Sequence, residues 1–191
     1  MPPPLIIASI KACFAGLLLA ASISVQAQCA NAVSPSCDVY ESCFSKYCPC
    51  DGKSSEYFRT YGLKYCKAFL ANTALSAQGK AWRDSTLVCL QENIVPKLDI
   101  STKPSCNCDQ MRATAFDVHV ACYTKPSASI CDLPTSDVTS IATTVDIKDL
   151  IDAAGWRQMR DIAARCETSA PDDGRRAAWT AMARALKLRS P

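Results

Sequence analysis

Histidine, glycine and aromatic residues are scarce in this 191-residue chain, and neither sign of charge dominates it. The single histidine, His119, excludes a metal site built from several histidines and leaves a Ser-His-Asp enzyme only one choice of base. A net charge of +3 argues against a nucleic-acid binder, which usually presents a clearly basic face. Six glycines are few for a fold made of many hairpins, so the composition favours helices.

Long apolar runs are also lacking beyond residue 27. The one extended run, residues 13–25, follows Lys11 and precedes the small residue Ala27, which is the order of a secretory signal peptide. A retained membrane anchor is the alternative, but the run is shorter than the ~20 residues that cross a bilayer. We therefore predict a signal peptide over residues 1–27 and a secreted, extracellular protein.

Cysteine is the residue that the chain has in excess, with 13 in all. Removal of residues 1–27 would take away Cys13 and leave an even number. An even number in an oxidising compartment predicts disulfide bonds, although counting alone does not give their pairing. The predicted disulfide cysteines are Cys29, Cys37, Cys43, Cys48, Cys50, Cys66, Cys89, Cys106, Cys108, Cys122, Cys131 and Cys166.

Apolar residues recur at helical spacing along most of the chain. One stripe with steps of three and four predicts a helix that starts near 108: Cys108, Met111, Ala115, Val118 and Cys122. The same reasoning predicts helices at about 56–72, 78–93, 146–154 and 155–166. The predicted fold class is therefore all-α, a disulfide-rich helical bundle. It includes a cross-linked N-terminal coil with short helical turns over 29–55 and a Ser/Thr/Pro-rich connection over 125–140.

The C-terminal residues 170–191 differ from the rest. Five basic residues and no acid lie between Arg175 and Arg189, and Trp179, Met182 and Leu186 share one face. This pattern predicts a basic amphipathic helix. It either packs on its neighbours or makes weak contact with a membrane surface or an anionic glycan.

Two Cys-x-Cys pairs, Cys48 with Cys50 and Cys106 with Cys108, can be interpreted in two ways. They could bridge each other twice, or their four thiolates could bind zinc. Zinc sites of this kind favour Cys-x-x-Cys spacing, and an oxidising compartment disfavours thiolates. The double disulfide is therefore the prediction, and we expect no metal and no cofactor.

His119 lies in a segment that partly resembles the His-Asp-x-Cys-Tyr helix of secreted phospholipases A2. Val120 stands where those enzymes have their calcium-binding aspartate, and no glycine-rich calcium loop precedes it. We predict a residual helix-borne histidine and no catalytic residue. Three carboxylates that step by three, Asp146, Asp149 and Asp152, indicate a solvated helix face or a weak calcium site.

The most specific feature is a block of three motifs in the first half of the chain. They are Cys66-Lys-Ala-Phe-Leu70, Gln78-Gly-Lys-Ala-Trp82 and Ser85-Thr-Leu-Val-Cys89. In order and spacing this block resembles the core signature of the stanniocalcin family. The resemblance extends over about 29–166, and we predict a stanniocalcin-like domain over 28–169, followed by the C-terminal helix.

The resemblance implies a disulfide framework. Carried over by position, the family's bridges would be Cys29–Cys43, Cys37–Cys66, Cys48–Cys108, Cys89–Cys122 and Cys131–Cys166. Cys50 and Cys106 remain, and the family lacks both. Because the Cys-x-Cys argument also leaves them as partners, the expected sixth bridge is Cys50–Cys106.

The resemblance also implies a function. It indicates a secreted, non-enzymatic hormone or regulator of calcium and phosphate homeostasis that binds an extracellular protein or receptor. The family's partner, where characterised, is a metalloproteinase of the pappalysin type. No cysteine follows Cys166, so a non-covalent homodimer is expected in place of a disulfide-linked one. The alternatives are a lipid-binding or degenerate phospholipase-like protein with His119 near an apolar cleft, and a secreted effector that shares only the fold.

Overall fold

A computed structural model describes residue 29 and residues 35–125, 127–150 and 152–188, so the predicted signal peptide lies outside it. These residues form eight α-helices and no strand, which confirms the all-α fold class. None of the helices in these ranges is long and apolar enough to cross a membrane. The helices are α1 (Ser45–Tyr47), α2 (Lys64–Ala71), α3 (Ala77–Ile94), α4 (Cys108–Tyr123), α5 (Thr135–Thr144), α6 (Ile147–Leu150), α7 (Ala153–Ser169) and α8 (Asp173–Leu188).

The three longest central helices begin at polar caps that the sequence supplies. Ser76, Asn107 and Asp152 precede α3, α4 and α7, and each side chain accepts from the backbone N–H three residues on at 2.7–3.1 Å. Such caps satisfy backbone donors that a helix start leaves free. Helix α3 ends at Ile94, ahead of Pro96 as predicted, but the expected reason is wrong, because Val95 keeps helical backbone angles and a 3-10 turn at Val95–Lys97 continues through the proline.

The N-terminal segment contains short helical turns, as predicted for the cross-linked coil over 29–55. A π-helical turn at Tyr40–Phe44 leads into α1, and a second one at Phe58–Leu63 leads into α2. The two turns pack together, with Tyr40 lying over Gly62 so closely that a Cβ there would be 2.4 Å from the ring. Buried aromatic side chains, among them Tyr40, Phe44 and Phe58, therefore order these turns.

Two other boundaries differ from the predictions. Residues 125–140 were predicted to be a connection, but a 3-10 turn at Ile130–Asp132 and helix α5 occupy most of it. The predicted helix at 146–154 stops at Leu150, and Asp152 caps a separate helix, α7. The first error arises because a Ser/Thr-rich stretch has weak helix propensity and becomes ordered through tertiary contacts. The second arises because the Asp152 side chain caps the start of a new helix in place of continuing the previous one.

The core has two main apolar clusters. One joins the N-terminal segment to α4, and the other joins α2, the start of α3, α5, α7 and α8. The disulfides divide along the chain in a similar way. Five of the six lie within residues 29–122, and the sixth joins Cys131 to Cys166.

Candidate functional site

The start of α3, residues 76–82, is here named the docking block because three of its side chains hold the segment 123–137. Gln78 Nε2 donates to the carbonyl of Asp132 at 3.1 Å. Trp82 is buried, and its indole N–H donates to the carbonyl of Tyr123 at 3.1 Å. The motif Gln78-Gly-Lys-Ala-Trp82 thus has a structural role in joining the two halves of the molecule.

Ser76 and Asp137 form the third contact of the docking block. The Asp137 carboxylate is 1% exposed and accepts from the backbone N–H of Ser76 at 2.9 Å and from its hydroxyl. The Ser76 hydroxyl in turn accepts from the N–H of Gly79. This places a buried carboxyl group at the N-terminus of α3, where it accepts hydrogen bonds from Ser76.

Gly79 is the signature glycine, and its role is steric. A Cβ at this position would lie 2.7 Å from a carboxylate oxygen of Asp137. Only hydrogen fits between the helix and the buried carboxylate, so glycine permits the close approach of α5 to α3. Sequence reasoning missed Asp137, because nothing near it in the chain indicates a partner 61 residues away.

Most of the other signature residues are buried or half-buried between helices. Cys66 and Phe69 are buried in α2, and Cys89 bridges α3 to Cys122 in α4 with a Cα–Cα distance of 5.6 Å. Asn93 stays beside this bridge and donates to the Cys89 carbonyl at 2.8 Å. Two signature lysines, Lys67 and Lys80, are exposed instead, so the packing of the fold does not account for them.

The structure brings all twelve predicted disulfide cysteines together in pairs. Cys29–Cys43, Cys37–Cys66, Cys89–Cys122 and Cys131–Cys166 have the partners that the family resemblance implied. The two Cys-x-Cys pairs bridge each other twice, but with exchanged partners.

The exchange corrects the expected bridges Cys48–Cys108 and Cys50–Cys106. Cys48 pairs with Cys106 at a Cα–Cα distance of 5.0 Å, and Cys50 pairs with Cys108 at 5.9 Å. Residues 48–50 and 106–108 thus pair in the same order along the chain. Spacing alone did not distinguish this parallel register from the crossed one.

His119 is buried in an aromatic cluster on α4, with 4% of its surface exposed. Its Nδ1 contacts the Ala115 carbonyl at 2.5 Å, and its Nε2 faces the Tyr57 hydroxyl at 3.4 Å. Burial lowers its pKa to about 4, and the Ala115 carbonyl offsets this only in part. Both ring nitrogens are therefore occupied, and the geometry supports a structural role, not that of a general base.

The lipid-binding alternative required an apolar cleft beside His119. The cavity that His119 lines is only about 30 Å³. A larger apolar cleft of about 100 Å³ lies between α5, α7 and α8, against Ile141, Met159 and Trp179, and His119 does not line it. Ligand pockets typically reach ~300–1,000 Å³, so this cleft does not favour a lipid-binding function.

The three carboxylates at 146, 149 and 152 do not share one helix face, because the helix stops at Leu150. Lys64 Nζ forms ion pairs with Asp146 and with Asp149, the latter at 3.0 Å. Asp152 caps α7 and pairs with Arg112 at 2.9 Å. Hydrogen bonds to Lys64 and Tyr65 also keep the pKa values of Asp146 and Asp149 below their usual range. These groups form structural ion pairs in place of a calcium site.

Helix α8 packs along α7 through its apolar face. Trp179 and Leu186 are buried, whereas Met182 is 39% exposed. Arg175 and Arg176 pair with Asp172 and Asp173 at 2.6 and 2.8 Å. Arg184 and Lys187 are also exposed. Because two of the arginines are paired with aspartates, the net positive charge at the start of this helix is lower than the sequence alone indicated.

Comparison with known proteins gives one match. The model of the stanniocalcin family matches residues 14–183, most of the chain. No curated protein and no solved structure matches the chain.

Proposed function

Because the chain belongs to the stanniocalcin family, which is a family of hormones and not of enzymes, we propose that it is a secreted regulator of calcium and phosphate homeostasis. It would act by binding an extracellular protein or receptor through its surface, without catalysis. The observation that carries the proposal is the family match over most of the chain. The arrangement of the described residues supports it in two ways.

The first support is the rigidity of the scaffold. Six bridges cross-link a helical chain, and each typically contributes ~2–4 kcal/mol by restricting the unfolded state. Such a framework suits an extracellular protein that presents a fixed surface to a partner. The buried His119 supports the absence of acid–base chemistry, since neither ring nitrogen is free to reach a substrate.

The second support is the pair of exposed signature lysines. The buried members of the signature are accounted for by packing, whereas Lys67 on α2 and Lys80 on α3 point to solvent. Exposed residues of a family signature that packing does not explain are candidates for binding. We therefore assign Lys67 and Lys80 to the partner-binding surface. Because both side chains are positively charged, this surface would bind an acidic partner.

The experiment uses the secreted protein with its bridges intact, applied to calcium-loaded epithelial cells. We expect saturable cell-surface binding and a dose-dependent change in calcium or phosphate flux. The variant Lys67→Glu/Lys80→Glu should weaken binding. The matched control Lys53→Glu/Lys103→Glu reverses two exposed charges outside the signature and should leave binding unchanged.

Two outcomes would contradict the proposal at different levels. No binding and no change of flux over a wide dose range would overturn the regulatory function itself. Intact binding by the Lys67→Glu/Lys80→Glu variant would overturn only the assigned surface. The same protein, reduced and alkylated at its cysteines, serves as the control for effects that do not need the fold.

A further inference from the structure

The four cysteines of the two Cys-x-Cys pairs form one sulfur cluster. The Sγ atoms of Cys48, Cys50, Cys106 and Cys108 all lie within 4.8 Å of one another. Cys48 Sγ and Cys50 Sγ, which belong to different bridges, are 3.5 Å apart. In the oxidised protein these atoms form two adjacent disulfides.

The same four atoms match the requirements of a tetrahedral thiolate site. Zinc binds cysteine sulfur at ~2.3 Å, so the sulfurs of a four-thiolate site lie about 3.8 Å apart. The Sγ atoms of Cys48 and Cys50, which are not bonded to each other, are already 3.5 Å apart, whereas the two bonded pairs would have to separate once they are reduced. Two ligands come from each of two chain segments, so the short Cys-x-Cys spacing does not prevent convergence.

The surroundings of the cluster favour negative charge. Cys108 is the first residue of α4, a helix of 16 residues, and helix N-termini stabilise thiolates. Asn107 caps this helix by accepting from the N–H of Gln110 at 3.0 Å, which leaves the N–H groups of the first turn near Cys108.

The cluster is also the most accessible part of the disulfide framework. Of the twelve cysteines that the structure describes, only Cys106 is partly exposed, and the others are buried. Cys106 lines an open groove of about 220 Å³ together with Lys97 and Asn107. A small reductant or a metal ion can reach the cluster by this groove.

From these observations we propose that the four cysteines form a redox-controlled zinc site. Two equivalents of a dithiol reduce the two bridges; each bridge takes up two electrons and two protons, and each dithiol becomes a disulfide. The four resulting thiols then bind one zinc ion and release four protons. Two equivalents of a small disulfide, such as oxidised glutathione, restore the bridges: each accepts two electrons and two protons to become two thiols, the four thiolates form two disulfides, and the zinc ion is released.

In the first step of the test, the oxidised full chain is partly reduced with a limiting amount of dithiol in the absence of oxygen. Alkylation and peptide mapping should show that Cys48, Cys50, Cys106 and Cys108 open first. Cobalt added to this form should give the visible absorption bands of a tetrahedral thiolate complex, and zinc should displace it. A native mass spectrum should show one metal per chain, and bound zinc should abolish alkylation of the four cysteines.

Two double variants make the result specific. Cys50→Ser/Cys106→Ser removes one ligand from each pair and should lose the cobalt bands. Cys89→Ser/Cys122→Ser removes a bridge elsewhere and should retain them. The proposal is overturned if the partly reduced wild-type protein binds no metal, if Cys50→Ser/Cys106→Ser binds it equally well, or if another bridge opens first. Loss of the helical circular dichroism signal in the zinc-treated form would also overturn it, because the proposal requires a site preformed by the fold.

Discussion

His119 shows how much of a residue's behaviour is set by neighbours that are distant in sequence. Its ring stacks on Phe116 with a centroid distance of 5.8 Å and faces Tyr57, 62 residues earlier. The predicted stripe on α4 ran through Val118 and did not include His119, which the sequence placed only on the same helix. It did not indicate that an aromatic cluster would bury it, because two of the contributing tyrosines, Tyr57 and Tyr61, come from another part of the chain.

Burial of His119 predicts a loss of stability in mild acid. The histidine of the unfolded chain has the ordinary pKa of 6.5, whereas in the folded protein its pKa is about 4. The unfolded state therefore binds the proton first, and the stabilisation, complete above pH 6.5, is lost as the pH falls towards 4. We expect the free energy of unfolding to fall by about 3 kcal/mol across this range.

Urea denaturation followed by circular dichroism at several pH values would measure this loss. The variant His119→Gln carries no titrating group and should show a much smaller decrease between pH 7 and pH 4. Equal pH dependence of the variant and the wild type would contradict the prediction. Carboxylates whose pKa is lowered from 3.8 lose their stabilisation mainly below the lower end of this window, so they account for only a small part of the decrease above pH 4: Asp99, Asp146, Asp149 and Asp172.

Among the elements, α3 contributes most to the arrangement of the others. It presents the docking block at its start and the Cys89 bridge further along, so it contacts both halves of the molecule. Its bounds, Ala77–Ile94, lie within one residue of those predicted from periodicity. Helix α5 was missed, since its apolar content is low and the contacts of Asp137 and Ile141 order it.

The close approach of α5 to α3 predicts that Gly79→Ala is destabilising. The added methyl group would lie 2.7 Å from the Asp137 carboxylate, which is buried and has little room to move. Overpacking of this kind costs about 1–3 kcal/mol of unfolding free energy. Thermal denaturation measures the loss of stability. In a background that already carries Asp137→Ala, the change Gly79→Ala should lower the free energy of unfolding much less, because the clashing carboxylate is gone.

Gly174→Ala provides the matched control for Gly79→Ala. It also places a methyl group near an aspartate, with Asp172 at 3.3 Å, but that side chain is exposed and can move. Alanine has the higher helix propensity, so Gly174→Ala should be neutral or slightly stabilising. If both variants lose the same stability, the steric role assigned to Gly79 is wrong.

At the scale of the whole molecule, the bridges define two parts. Five lie within residues 29–122, and Cys131–Cys166 alone ties the second part together. Helical periodicity predicted the bundle, and the even number of cysteines after residue 27 predicted the disulfide bonds. The export predicted from residues 1–27 stays a prediction, because those residues lie outside the described part of the chain. The partners within the Cys-x-Cys pairs depend on whether the two segments pair in parallel or crossed register. Spacing alone does not decide this, and the resemblance implied the crossed register, whereas the structure has the parallel one.

Removal of Cys131–Cys166 should loosen the second part selectively. The variant Cys131→Ser/Cys166→Ser opens a loop of 35 residues and should lower the free energy of unfolding by about 2–5 kcal/mol. For a domain of this size that corresponds to a decrease of roughly 5–15 °C in Tm. Limited proteolysis with mass spectrometry should locate the new cleavage sites in residues 127–188, while residues 35–125 stay protected.

The variant Cys89→Ser/Cys122→Ser is the control, because its loop of 33 residues is almost equal in length. It should lose similar stability but become sensitive to proteases in α3 and α4. If the cleavage sites of each variant were instead spread evenly along the whole chain, the two parts would unfold as one unit.

The division of the bridges has a consequence for the fate of the protein outside the cell. No described disulfide spans residues 123–130, so a protease that cut the backbone there would leave two separate polypeptides. The hydrogen bonds of Gln78 and Ser76 to the far side of the cut, with the shared apolar packing, would still hold them in one particle. Such nicked protein would migrate as the intact molecule on a sizing column. On a denaturing gel it would run as two fragments even without a reducing agent.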